Sequence, residues 1–155
     1  MEIRDASTED AAAACEVMRR SITELCVSDH QGDSVILAAW LGNKKPDVFV
    51  SWLAQKGNSV LLALENGGVV GVGAVTDAGE ITLNYVSPDA RFRGVSRAVL
   101  RALEARAAER GNVRCTLTST ETARRFYRDN GYVEDGLPDR HFGLQGYPMS
   151  KALAI

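Results

Sequence analysis

The sequence predicts a mixed α/β (α+β) fold, with a mostly antiparallel sheet of about six to seven strands flanked by helices. Three observations carry this. Apolar residues recur every three or four positions over the first third of the chain, and the pattern becomes strand-like through the middle. Two hairpin signals, Asn66-Gly67-Gly68 and Asp77-Ala78-Gly79, join three strand-type runs in direct succession, as in an antiparallel meander. Beyond residue 93, helix-type and strand-type segments alternate. At 155 residues the chain is expected to form one domain, 1–155, able to bury a core without disulfides or a structural metal.

Residues 2–5 are strand-type. Ser7-Thr8-Glu9-Asp10 then offers a capping hydroxyl with an acidic group three residues on. Ala11, Cys15, Met18, Ile22 and Leu25 set one apolar stripe on a helix that ends near Val27. Ser28-Asp29-His30-Gln31-Gly32-Asp33 reads as a polar, turn-rich loop. A second helix follows over about 34–41, capped by Asp33 or Gly32, and its unbroken apolar run implies burial on most sides until Gly42 stops it. Pro46 suits the first turn of a third, short helix over 47–55. The meander strands cover 59–65, 69–76 and 80–86, and Ser87-Pro88-Asp89-Ala90 ends the last of them. The longest helix, 93–110, carries Val95, Ala98, Val99, Ala102 and Leu103 on one face and stops at Gly111. A strand over 113–118, a helix over 120–130 closed by Gly131, a short strand at 132–134, an irregular loop and a last strand over 148–153 complete the chain.

Composition excludes several function classes. Hydrophobic residues make up 45% and charged residues 25%, an ordinary globular balance. The 18 Lys+Arg against 20 Asp+Glu leave a net charge of −2, which speaks against nucleic acid as a partner, because phosphate backbones select a basic excess. Cys15, Cys26 and Cys115 form no CxxC pair and His30 and His141 are the only histidines, so no metal site is predicted and the cysteines read as packed thiols. The longest apolar runs, 35–41 and 69–75, fall short of the ~20 residues of a membrane span. The first residues lack the segments of a signal peptide, so the expectation is a cytoplasmic protein with no membrane partner.

The most informative stretch is Leu83-Asn84-Tyr85-Val86-Ser87-Pro88-Asp89-Ala90-Arg91-Phe92-Arg93-Gly94-Val95-Ser96, in which a strand runs through a loop into a long helix. The first amides of a helix lack internal partners and that end carries partial positive charge, so the amides of Arg93, Gly94, Val95 and Ser96 can hold a phosphate. Gly94 permits close approach, and Arg91 and Arg93 can add charge-assisted contacts. A capped helix start with two solvated arginines would leave the same trace. Neither a Walker loop nor a dinucleotide fingerprint is present, since Gly71-Val72-Gly73 lies between strands.

Arg91-Phe92-Arg93-Gly94-Val95-Ser96 resembles the [QR]-x-x-G-x-[GA] acyl-CoA loop of the GCN5-related N-acetyltransferase (GNAT) superfamily. Some 25 residues on, Ala123-Arg124-Arg125-Phe126-Tyr127-Arg128-Asp129-Asn130-Gly131-Tyr132 resembles that family's A-x-x-F-Y-x-x-x-G-[FY] helix. Both motifs occur in order, and the element order over nearly the whole chain fits. Two positions depart from the pattern: Ser96 stands where glycine or alanine is usual, and Thr120 where asparagine is common.

The resemblance implies an acetyltransferase whose fourth and fifth strands splay apart, with acetyl-CoA as co-substrate and no metal. It implies cofactor contacts at Asn84, Tyr85, Val86, Arg91, Phe92, Arg93, Gly94, Val95, Ser96, Thr120, Ala123 and Phe126. The backbone of 84–86 would pair with the pantetheine arm and stabilise the oxyanion. The implied reaction is direct attack of a primary amine of a small molecule or peptide on the thioester in a ternary complex. Alternatives are an N-acyltransferase using a longer acyl-CoA and a non-catalytic acyl-CoA sensor. A lysine-like amine of pKa ~10.4 costs about 4 to 5 kcal/mol to deprotonate at pH 7, whereas the leaving thiol of pKa ~8.5 costs about 2 kcal/mol. Tyr127 is the implied acid, with a packed aromatic as the alternative. Glu80 is the candidate base through water, with a surface carboxylate as the alternative. Strand alternation sets Glu80, Thr82 and Asn84 on one face and Ile81, Leu83 and Tyr85 on the other. Asp29, His30 and Asp33 in the loop after the first helix are candidates to recognise a cationic acceptor. An acyl-cysteine route through Cys115 is disfavoured, as no histidine neighbours it. Homodimers are common in the family, and the oligomeric state stays open.

Overall fold

The computed structural model describes residues 1–141 and 143–154. The meander forms first. β1 (Glu2–Asp5), β2 (Asn58–Glu65), β3 (Gly68–Thr76) and β4 (Ile81–Val86) pair antiparallel in that order. Asn66 and Gly67 turn the β2–β3 hairpin with φ of 51° and 79°, the left-handed pair that a two-residue turn demands. A second sheet contains β5 (Arg114–Ser119), β6 (Val133–Glu134), β7 (Asp139–His141) and β8 (Leu144–Ala152). In it β8 pairs with β5 on one edge and β6 on the other, and folds back on β7 as a hairpin. Among the described residues the two sheets touch through one parallel bridge, Glu80 to Thr116. Beyond it β4 and β5 diverge, and among the described residues the outer edge of β4 has no strand partner.

Among the described residues six α-helices flank these strands: α1 (Ala11–Leu25), α2 (Val27–His30), α3 (Ser34–Leu41), α4 (Pro46–Ala54), α5 (Val95–Glu109) and α6 (Arg124–Asp129). β2 is buried on both faces, so its sequence is a continuous apolar run. Its Leu61 and Ala63 pack under Val99 and Leu103 of α5, while Val60, Leu62 and Leu64 pack under Met18 of α1 and Phe49 of α4. The α5 helix lies so close to β3 because β3 offers glycines. A Cβ on Gly73 would sit 2.5 Å from Val99 Cγ1, and one on Gly71 2.9 Å from Val95 Cγ1.

Four expectations need correction. The apolar run of α3 is not buried on most sides: of its residues only Trp40 is buried, and Val35 is 76% exposed. This short helix packs through Leu37, Trp40 and Leu41 against Ile22, Cys26, Tyr85 and Leu144, and its half-buried Ile36 lies over Gly143. The polar loop after α1 contains the single turn α2, ended by Gln31 at φ 52°. The last strand begins at Leu144 rather than 148, because Gly143 at φ 80° folds residues 139–141 back onto it. The predicted alternation along β4 fails at Thr82, which is an extra residue between the pairs Val75–Ile81 and Ala74–Leu83. Such a bulge flips the strand's faces. Ile81 therefore packs with the α5 cluster, whereas Leu83 and Tyr85 pack on the α1 side.

Candidate active site

The divergence of β4 and β5 opens a cavity of about 520 Å³. Residues 81–86 of β4 form one wall, and Leu117 and Thr118 of β5 stand opposite. The start of α5 closes one end, Ala123, Phe126 and Tyr127 flank the cleft, and Leu25, Cys26 and Trp40 reach it from the other face.

At the α5 end the geometry suits an anion. Gly94 is the N-cap at φ 80°, no side chain caps the helix, and the first-turn amides point out of it. A Cβ on Gly94 would meet nothing within 4 Å, so the approach is open. Arg91 and Arg97 line this end. Phe92, 90% exposed at φ 64°, stacks its ring under the Arg91 guanidinium at 4.4 Å. Arg93 does not line the cavity, and its guanidinium pairs with Glu65 at 2.7 Å. Arg97 stands three residues after Gly94, in the basic locus that the sequence places at this helix start with Arg91 and Arg93. Arg124, on α6, pairs with Glu134 and stacks on Tyr147 at 3.8 Å.

The inner end is uncharged. Tyr127 is buried, in edge contact with Phe126 at 5.2 Å and Tyr132 at 5.6 Å. Burial pushes its phenol up to about 12, and the Asn84 side chain beside it offsets part of that rise. Asn84 Oδ1 is buried and has no hydrogen-bond partner. A buried acceptor left unsatisfied costs about 1 to 3 kcal/mol, so this atom is a ready acceptor for an N–H entering the cleft. Trp40 Nε1 donates to the Tyr85 hydroxyl at 3.2 Å, and burial pushes the Cys26 thiol up to about 12. No carboxylate or imidazole lines this cavity among the described residues.

The remaining predicted residues divide. Val86, Val95, Ser96 and Thr120 line the cavity, and Thr120 Oγ1 also accepts from the Ala123 amide at 3.2 Å. Asp29, His30 and Asp33 do not line it; each is held by local structure instead. Asp29 accepts from the Glu121 amide at 2.8 Å and from the Thr122 amide and hydroxyl, tying α2 to the turn before α6. His30 is buried and takes the Gly32 amide on Nδ1 at 2.9 Å, so Nε2 carries the proton and donates to the Thr23 carbonyl at 3.2 Å. Asp33 caps α3 by accepting from the Val35 and Ile36 amides. Glu80 is exposed and lines a second cavity, of about 730 Å³, which shares Trp40, Thr82, Leu83 and Tyr85 with the first. Cys115 lies in the core away from the cleft, its thiol pushed up to about 11 by burial. Among the described residues no cluster of three or more His, Cys, Asp or Glu side chains is placed to hold a metal, and no helix is long and apolar enough to cross a membrane.

Known proteins share this arrangement. The family model for the acetyltransferase (GNAT) domain matches residues 19–153. The structure is similar to a GCN5-related N-acetyltransferase from Rhodopseudomonas palustris, 28% identical, with a TM-score of 0.87 over 98% of this chain and 95% of that one. It also resembles the PaiA N-acetyltransferase of Thermoplasma acidophilum, solved in complex with coenzyme A, at 18% identity and a TM-score of 0.83 over 98% of both chains. The yncA protein of Salmonella typhimurium, solved with acetyl-CoA, shares the fold at 22% identity and a TM-score of 0.75, over 100% of this chain and 95% of that one. No curated protein matches the chain. The family match runs from within α1 to the end of β8 and includes the whole of the β4–β5 cleft, and on that ground the chain belongs to the GNAT family of acetyltransferases.

Proposed function

We propose that the protein transfers an acetyl group from acetyl-CoA to a primary amine of a small molecule or peptide, by direct attack within a ternary complex. The observation that carries this is the continuity of one cleft from an uncapped helix start to a buried phenol. Acetyl-CoA supplies the acyl group activated as a thioester. The open amides of the first turn of α5, with Arg91 and Arg97, suit its phosphates. The unpaired edge of β4 at Asn84, Tyr85 and Val86 offers backbone groups to the amides of the pantetheine arm, as an added strand would.

The proton inventory then follows. An N–C bond forms and the C–S bond breaks. The Tyr127 hydroxyl gives its proton to the departing sulfur and is reprotonated from solvent as CoA leaves, which matches the proton the amine gives up, and Asn84 Oδ1 accepts an N–H in the cleft. The amine must lose a proton, and no base lines the first cavity. Glu80, on the wall of the adjoining cavity, receives it through water as the acceptor passes Thr82 and Leu83. The test is initial-velocity kinetics with acetyl-CoA and an amine panel. Intersecting reciprocal plots, with thermal stabilisation by acetyl-CoA alone, support the proposal. Parallel plots would point to an acyl-enzyme, and stabilisation without turnover on any amine would point to a sensor.

A further inference from the structure

The second cavity holds a cation without a counterion. Lys44, just beyond α3, is only 6% exposed and lines this cavity. Its Nζ donates to the Trp40 carbonyl at 3.3 Å and to Asn43 Oδ1 at 2.6 Å, both neutral oxygens. An ammonium has three donors. Among the described residues no carboxylate pairs with it. Removing an ammonium from water without an opposite charge is unfavourable, and burial accordingly pulls Lys44 down to about 8. The two carboxylates on the cavity wall do not compensate. Asp77 pairs with Arg110 at 3.3 Å, and Glu80 stands on the side shared with β4. Trp52, Trp40 and Tyr85 supply a flat apolar surface.

We infer that this cavity seats the body of the acceptor, and that the acceptor carries a carboxylate, received by Lys44, as well as the amine that is acetylated. The substrate class is then an amino acid or an amino-acid derivative. The inference rests on the proposed acetyl transfer and names the acceptor for it. Lys56 also lines the cavity but is exposed and so keeps its water, which leaves one buried ammonium, supported by the neutral side chains of Asn43 and Gln55, to balance one charge; a monoanion therefore fits better than a phosphate. Opposite charges at Lys44 and Glu80 suit a zwitterion entering amine-first toward Thr82 and Leu83, the wall common to both cavities.

The test compares the common amino acids with their decarboxylated amines at saturating acetyl-CoA, following CoA release. The wild-type protein is expected to favour the best amino acid over its decarboxylated counterpart by roughly 30-fold or more in kcat/KM, the weight of a charge-assisted hydrogen bond. Lys44→Met keeps the aliphatic stem and removes the charge. It should raise KM for the amino acid by a similar factor, leave kcat within about threefold and leave the decarboxylated amine unaffected. If the variant does not fold, product inhibition of the wild-type protein gives the same answer, with the N-acetyl amino acid binding more tightly than the N-acetyl amine. Equal turnover of acid and amine, or turnover confined to polyamines, overturns the inference and leaves acetyl transfer standing. Turnover of no amine at all overturns both.

Discussion

Tyr127→Phe removes one buried hydroxyl and leaves the ring in its edge contacts with Phe126 and Tyr132. The expected loss of activity follows from what the cleft does to a thiolate. Cys26 lines the same cavity, and there burial raises a thiol from its ordinary 9.0 to about 12. A CoA thiolate departing into that cavity meets similar desolvation. It is less stable than in water by roughly three pH units, or about 4 kcal/mol at 1.36 kcal/mol per unit. A proton donor of matching strength shares the developing charge in the transition state, and Tyr127, itself pushed up to about 12, is matched. Its removal is therefore bounded near 10³-fold in kcat. Water entering the vacated space recovers part of this, which leaves an expected loss of roughly 10²-fold.

Acetyl-CoA should still bind, because the α5 end and the β4 edge are untouched. The assay is thiol release at saturating acetyl-CoA and amine, with Kd for acetyl-CoA measured by calorimetry. The sign of the pH dependence is also fixed. A phenol near 12 stays protonated as pH rises from 7 to 10, so wild-type kcat should show no falling limb from Tyr127 in that range. A variant within threefold of wild type refutes the role of the hydroxyl. A large loss matched by an equal loss of acetyl-CoA affinity refutes the reasoning about the thiolate.

Other expectations follow from the ion pairs and the clamp on α2. Arg97→Ala should raise Kd for acetyl-CoA several-fold, more at low salt than at high salt, whereas Arg93→Ala should change it by less than about twofold, since Glu65 already holds that guanidinium. Calorimetry at two salt concentrations separates the two, and equal effects would contradict the assignment. Asp29→Ala loses the hydrogen bonds to Glu121 and Thr122 and should destabilise the fold by about 1 to 2 kcal/mol, lowering Tm by several degrees with acceptor KM unchanged. An unchanged Tm with a raised acceptor KM would return Asp29 to acceptor recognition.

What could be read from the chain depended on how local each cause was. The α5 start was legible because Gly94, the preceding strand and the following apolar face all lie within a few residues of one another. The fate of Arg93 was not, because its partner Glu65 lies 28 residues away at the end of β2. Asp29 carries the right charge for a cationic acceptor, yet the amides that capture it lie 92 and 93 residues further on. The bulge at Thr82 left no glycine or turn residue to mark it, so simple alternation put Ile81 on the wrong side of β4. The hairpin at residues 139–141 was missed for the opposite reason: its residues are exposed and polar, and backbone pairing alone defines it. Burial of Lys44 had no sequence signature, since it arises where the end of α3 meets the wall of the second cavity.

The account stands most directly on acetyl transfer itself. The decisive measurement is release of CoA thiol from acetyl-CoA by the purified protein, with and without amines, with the acetylated product identified by mass. The account predicts release that depends on the amine, one acetyl amide formed per thiol, and a loss of roughly 10²-fold in Tyr127→Phe. Acetyl-CoA bound in the cleft but never transferred to any amine, or thiol released at the same rate without one, would contradict it.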